Sequence, residues 1–148
     1  MFKHILFPTD TSATSNSGFS AAIDVAKKFG AKVTLLNVHE EFMNEEEMVN
    51  LRVSAEHYQE MMTDKAKASR AGMEELVNKI AGNVECDILI REGNPRKEIV
   101  DVAQEIHADL IVMTSNGRSN LKEALIGSVA EHIVRVSTLP VLVVKVSR

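Results

Sequence analysis

The chain has 148 residues, a net charge of −4 and a single cysteine. That length suits one domain, the mild acidity offers no basic field for nucleic acid, and one thiol cannot close an internal disulfide. The opening MFKHILFP is too short an apolar run for a signal peptide and no segment reaches membrane-spanning length, so a soluble cytoplasmic protein is expected.

Ile5-Leu6-Phe7 reads as a first buried strand, ended by Pro8, which has no N–H to give a ladder. Thr9, Asp10, Thr11 and Ser12 form a polar turn and helix cap. Phe19, Ala22, Ile23, Ala26 and Phe29 then recur at helical spacing as far as Gly30, a plausible stop. Val33 to Val38 is a second strand. From Glu40 to Ala81 neither Gly nor Pro appears before Gly72, and at about 1.5 Å per residue one helix over that span would outgrow the domain. A break is therefore expected near Val53 to Tyr58. Asn44 and Glu47 have capping-box spacing. Glu45, Glu46 and Glu47 read as a solvated face, and Met43, Met48, Met61, Met62 and Met73 as packing filler or a partner surface.

Val84 to Ile90 is a third strand, and Cys86 within it reads as a small core residue. Pro95 follows the Gly93-Asn94 turn at the first position of a helix that turns Ile99, Val100, Val102, Ala103 and Ile106 to the core. None of the histidines has paired metal-ligand spacing. Leu110-Ile111-Val112-Met113 is a fourth, doubly buried strand, and Thr114, Ser115, Asn116 and Gly117 leave it as a loop. Gly127 then precedes Ser128, whose spacing to Glu131 is that of a capping box, and Val129, Ile133, Val134 and Val136 give the last helix an apolar stripe. The start of this helix, with free N–H groups beside a small hydroxyl, is suited to an anion. Arg118 and Lys122 are either phosphate-facing or simply exposed cations. Pro140 introduces a fifth strand, Val141 to Val144. Five alternations of strand and helix imply an α/β protein with a parallel sheet covered on both faces, and no linker or repeat divides residues 1–148.

The stretch after the fourth strand resembles the G-x-x-G-x9-G-S/T motif of nucleotide-binding universal stress proteins. Gly117 matches its second glycine and Gly127-Ser128 its final pair, while Thr114 stands at the first glycine, where a bare backbone would let a phosphate approach. KHILFPTD, LLNVHE, EGNPRKEIV and LPVLVVK are further landmarks similar to that family's, so the resemblance spans nearly the whole chain. It implies a Rossmann-like, adenine nucleotide alpha hydrolase-like fold with strand order 3-2-1-4-5. In that order the site lies between strands one and four, beyond their carboxyl ends.

The resemblance further implies a crevice formed by Pro8, Thr9, Asp10, Val38, Met113, Thr114, Ser115, Asn116 and Gly117. In it Asp10 would bond the ribose, Val38 would meet adenine through its backbone, and Met113 would line base or sugar. Gly117, Arg118, Gly127, Ser128 and Val129 would surround the phosphates. The ligand would be ATP or another adenine nucleotide, with magnesium as a companion to a triphosphate. A homodimer through the Val141–Val144 edge is also implied. The expected role is a stress-response or regulatory module. A relative acting through protein contacts alone is the alternative, favoured by Thr114. A slow ATPase ranks below it, because Asp10 is the only candidate base and no GxxxxGK loop or GxSxG elbow is present.

Overall fold

The computed structural model describes residues 1–116 and 126–146. Five strands, β1 (His4–Pro8), β2 (Lys32–His39), β3 (Cys86–Glu92), β4 (Leu110–Thr114) and β5 (Val141–Val144), form one sheet in the order β3-β2-β1-β4-β5. All four pairings are parallel, with Ile5 beside both Val33 and Leu110, and Ile111 beside Val141. The helices are α1 (Ala13–Asn16), α2 (Phe19–Phe29), α3 (Glu45–Asn50), α4 (Ala55–Ile80), α5 (Pro95–Glu105) and α6 (Ser128–Val136).

Strand side chains alternate between the two faces of the sheet. Ile5, Phe7, Val33, Leu35, Leu110 and Val112 therefore join Phe19, Ala22, Ile23 and Met73 in one core. On the opposite face Leu6, Leu36, Ile111 and Met113 join Ile99, Val102, Ala103, Ala130 and Ile133. Each apolar cluster is closed by helices on its own side, α2 and α4 on one and α5 and α6 on the other.

Most departures from the sequence reading are at element ends. Ser12 caps α1, which the spacing did not separate from α2, by accepting the N–H of Ser15. Gly30 ends α2 with φ of 67°, a conformation that costs glycine little. The helix break falls between Asn50 and Ala55, with Ser54 as the new cap, so it begins a little before the expected Val53 to Tyr58. Asn44 caps α3 through Glu47 N–H at 2.8 Å, as its spacing suggested. β3 starts two residues later than Val84 because Val84 N–H bonds back to Ala81. Phe29 is exposed and stacks edge-on against Phe2 rather than entering the core.

The last helix needs a larger correction. Gly127, not Ser128, is its N-cap, and Ser128 is the first helical residue. Glu131 N–H bonds to the Gly127 carbonyl at 2.9 Å, so the Ser128–Glu131 capping box does not form. Of the expected stripe, Ile133 is buried and Val129 packs half-buried against the same cluster, with Ala130 beside them, while Val134 and Val136 are exposed.

Candidate functional site

The strand order reverses between β1 and β4, so their carboxyl ends diverge and leave a crevice. A cavity of about 830 Å³ lies there. Pro8, Thr9 and Asp10 after β1, Val38 in β2, Met113 to Asn116 at the end of β4, and Gly127, Ser128 and Val129 at the start of α6 all line it. Residues more than a hundred positions apart thus reach one wall. Gly117, Arg118 and Lys122 lie outside the described residues.

The floor after β1 is fixed by a dense set of hydrogen bonds. Thr9 N–H extends the ladder to Leu36 O at 2.8 Å, and Asn37 Nδ2 holds the Thr9 carbonyl at 2.9 Å. The Thr9 hydroxyl donates to Asn16 Oδ1 at 2.6 Å and accepts Thr11 N–H at 3.0 Å. The Asp10 carboxylate accepts Ser12 N–H at 2.9 Å, an Asx turn that aims the side chain. Thr11 is held at φ of 66°, a strained state for a β-branched residue that costs on the order of 1–3 kcal/mol.

The opposite wall is the β4–α6 junction. Thr114 is 5% exposed, and both ends of its side chain are committed. Its hydroxyl donates to Asn116 O at 2.8 Å, while its methyl lies near Gly18. Gly127 N–H bonds to Ser115 O at 2.6 Å. A Cβ on Gly127 would lie 3.1 Å from that same oxygen and 3.6 Å from Asn116 Oδ1, tight enough that the Ser115 carbonyl would have to give by a few tenths of an ångström. The first intrahelical bond of α6 is Glu131 N–H to Gly127 O, so the amides of Ser128, Val129 and Ala130 precede it and have no helical acceptor. Their dipole end opens where the cavity lies.

Two buried acceptors at this cavity have no hydrogen-bond partner among the described residues, Asn37 Oδ1 and Asn116 Oδ1. An unsatisfied buried amide costs about 1–3 kcal/mol, so such groups point to a missing partner. Asn37 cannot simply flip, since its Nδ2 is needed at the Thr9 carbonyl. Asn116 stands beside Gly127, and rotating its amide would offer an N–H donor to an anion at the α6 amides.

The cavity also runs over the α4 side of the sheet, which sequence reasoning missed. His39, Glu40, Glu41, Phe42, Lys65, Ala68 and Ser69 line it there, with Asn37. Lys65 Nζ sits 4.5 Å above the Phe42 ring, Tyr58 stacks on the same ring at 5.0 Å, and His39 Nε2 bonds Ser69 Oγ at 2.9 Å. No glycine or cap marked this wall, because α4 brings it in from elsewhere in the chain. Cys86 lies away from the cavity. Burial, then Asp87 and Glu85, raises its thiol above the ordinary value, the reverse of what a thiolate nucleophile needs. Among the described residues no three His, Cys, Asp or Glu side chains converge as metal ligands, and no helix is long and apolar enough to cross a membrane.

A model of the universal stress protein family matches residues 1–145. The chain belongs to the universal stress protein family. Universal stress protein MJ0531 of Methanocaldococcus jannaschii is 33% identical over 147 residues, covering 98% of this chain and 83% of that protein. MJ0577 of the same organism is 31% identical over 157 residues, covering 98% and 96%. The solved structure of MJ0577 superposes with a TM-score of 0.77, over 100% of this chain and 99% of that one. A universal stress protein solved in complex with cAMP shares the fold at a TM-score of 0.65 and 24% identity, covering 99% and 98%. The five-stranded order read from the β4 motif and its companion landmarks is thus the order this universal stress protein adopts.

Proposed function

We propose that this universal stress protein binds an adenine nucleotide across the β1–β4 crevice and works as a homodimeric regulatory module. One observation carries the reading: the α6 amides without helical acceptors open onto a cavity of about 830 Å³ also lined by Asn116, whose buried Oδ1 lacks a hydrogen-bond partner among the described residues. Phosphate oxygens supply acceptors for the three amides and for a rotated Asn116, and the α6 dipole favours their charge. Asp10, fixed by its turn, stands where a ribose hydroxyl would donate to it, and Val38 and Met113 give the base an apolar bed. The cAMP complex of a protein with the same fold is consistent with an adenine ligand.

Magnesium accompanying a triphosphate would be held chiefly by the phosphates, since the described side chains offer no cluster of ligands. When bound, such an ion would neutralise phosphate charge. Hydrolysis would need a base directed at a water, and the proposal places the Asp10 carboxylate on the ribose instead, so the role assigned is binding and not turnover. The alternative of a protein-contact module rested on Thr114 filling the phosphate space. The Thr114 hydroxyl on Asn116 O and the placement of its methyl near Gly18 support the nucleotide reading over that alternative.

Isothermal titration with ATP, ADP and AMP tests the proposal. Wild-type protein is expected to give heats of binding, and Gly127→Ala to weaken ATP by about tenfold or more, because its Cβ displaces Ser115 and the loop beside the amides. A circular dichroism spectrum matching wild type would show that the variant is folded. Equal heats from both proteins would discard the site, and native mass spectrometry of untreated protein would reveal any nucleotide that co-purifies.

A further inference from the structure

Gly18 joins α1 to α2 and lies outside the wall of the cavity. Its backbone, with φ of −82° and ψ of −8°, is ordinary helical geometry open to any residue. Conformation therefore does not require glycine here, but space does. A Cβ at this position would lie 2.6 Å from Thr114 Cγ2, closer than carbon atoms approach, with Phe7 at 3.5 Å and Val144 at 3.6 Å behind it. The missing side chain of Gly18 is the room that the Thr114 methyl occupies.

Thr114 in turn governs the phosphate wall. Its hydroxyl holds Asn116 O, Ser115 O holds Gly127 N–H, and Asn116 Oδ1 rests against Gly127. A methyl pushed from Gly18 has two ways to yield. Rotating χ1 breaks the bond to Asn116 O and leaves a buried carbonyl without its donor. Keeping the rotamer moves the end of β4, and with it Ser115, Asn116 and the cap of α6. Phe7 and Val144 stand at contact distance from the added Cβ, so the Cβ itself has little room to shift away from the methyl.

We infer that Gly18 is a positioning residue for the phosphate end of the site, and that Gly18 and Thr114 form a matched pair by which a threonine is accommodated at the first glycine of the motif. The inference rests on the nucleotide reading above. It also assigns a reason for the motif departure: the side-chain volume added on β4 has been removed from the α1–α2 junction.

The test compares Kd for ATP and for adenosine, which lacks phosphates, in wild type, Gly18→Ala, Thr114→Gly and the double variant. Gly18→Ala is expected to weaken ATP about tenfold while adenosine changes less than about twofold, and Thr114→Gly in the same chain should restore ATP to within about threefold of wild type. A loss of stability alone would not change the ratio of the two affinities. An unchanged ratio in Gly18→Ala, or a loss that Thr114→Gly does not rescue, overturns the inference while leaving the nucleotide site standing. If Gly18→Ala does not fold, Thr114→Val serves instead, since it keeps the shape and deletes only the bond to Asn116 O; an unchanged ATP-to-adenosine ratio there is equally fatal. Should wild type bind neither compound, the nucleotide reading fails and this inference fails with it.

Discussion

Asn37 shows how one side chain can tie the fold to the site. It sits on β2 next to Val38 but faces the other side of the sheet, 3% exposed, with its amide nitrogen on the Thr9 carbonyl. That bond fixes the turn carrying Asp10 and helps to hold Thr11 at its positive φ. Replacing Asn37 with alanine leaves a buried carbonyl without a donor, and the expected loss is about 1–3 kcal/mol of stability, read as a lower urea midpoint. An unchanged midpoint would mean that the Thr9 carbonyl is satisfied without Asn37. The sequence placed Asn37 only inside the LLNVHE landmark with no role of its own, because a lone asparagine in an apolar run reads as a mild break in a strand. Gly18 was equally silent, since only three-dimensional proximity reveals that Thr114 needs its space. Pro8, Thr9, Asp10, Gly127 and Ser128 were legible because turn and cap chemistry is local: each is chosen by its immediate chain neighbours.

Among the elements, α4 divides into two unequal halves. Met73, with Leu76, Val77 and Ile80 near it, packs on the core formed by β1, β2 and α2. The earlier turns bury only Met62, which belongs to neither core cluster. The helix is therefore anchored at its carboxyl end, while its amino-terminal half projects beside the cavity and presents Lys65 and Ser69 to it. Met73→Ala should cost about 2–5 kcal/mol in denaturant unfolding, whereas Glu74→Ala, on the exposed face, should stay within about 0.5 kcal/mol. Comparable losses from both would contradict the anchoring. The strands were readable because a sheet buried on both faces demands continuous apolar runs, and β5 falls where its four residues suggested. The start of α6 was misread for a reason of equal generality. A glycine N-cap leaves no side-chain signature, so the serine that follows it looked like the cap.

At the scale of the whole molecule, β5 is one of the two edge strands of the sheet, with β3 the other. Ile111 N–H bonds to Pro140 O and Ser115 N–H to Val144 O, so the even-numbered residues of β5 turn their backbone groups toward β4. The strand repeat then turns the N–H and C=O of Val141 and Val143 outward, where no strand among the described residues meets them. Leu142, Val134 and Val136 are each at least 40% exposed on this flank of the molecule. Unpaired backbone beside apolar side chains invites another chain, and two copies related by a two-fold axis satisfy both edges at once. For the proposed homodimer, light scattering at micromolar concentration is expected to give twice the chain mass. Val143→Pro deletes an outward donor without touching the bonds to β4, and it should shift the mass toward the monomer. Wild type running as a monomer would refute the dimer, and a Val143→Pro variant that remains dimeric would place the contact on another face. Because β5 follows directly on α6, and Ser115 O and Val144 O belong to the same junction, pairing at this edge would also stiffen the wall that holds Gly127. A monomeric Val143→Pro variant is therefore expected to bind ATP more weakly than wild type, while adenosine affinity changes less.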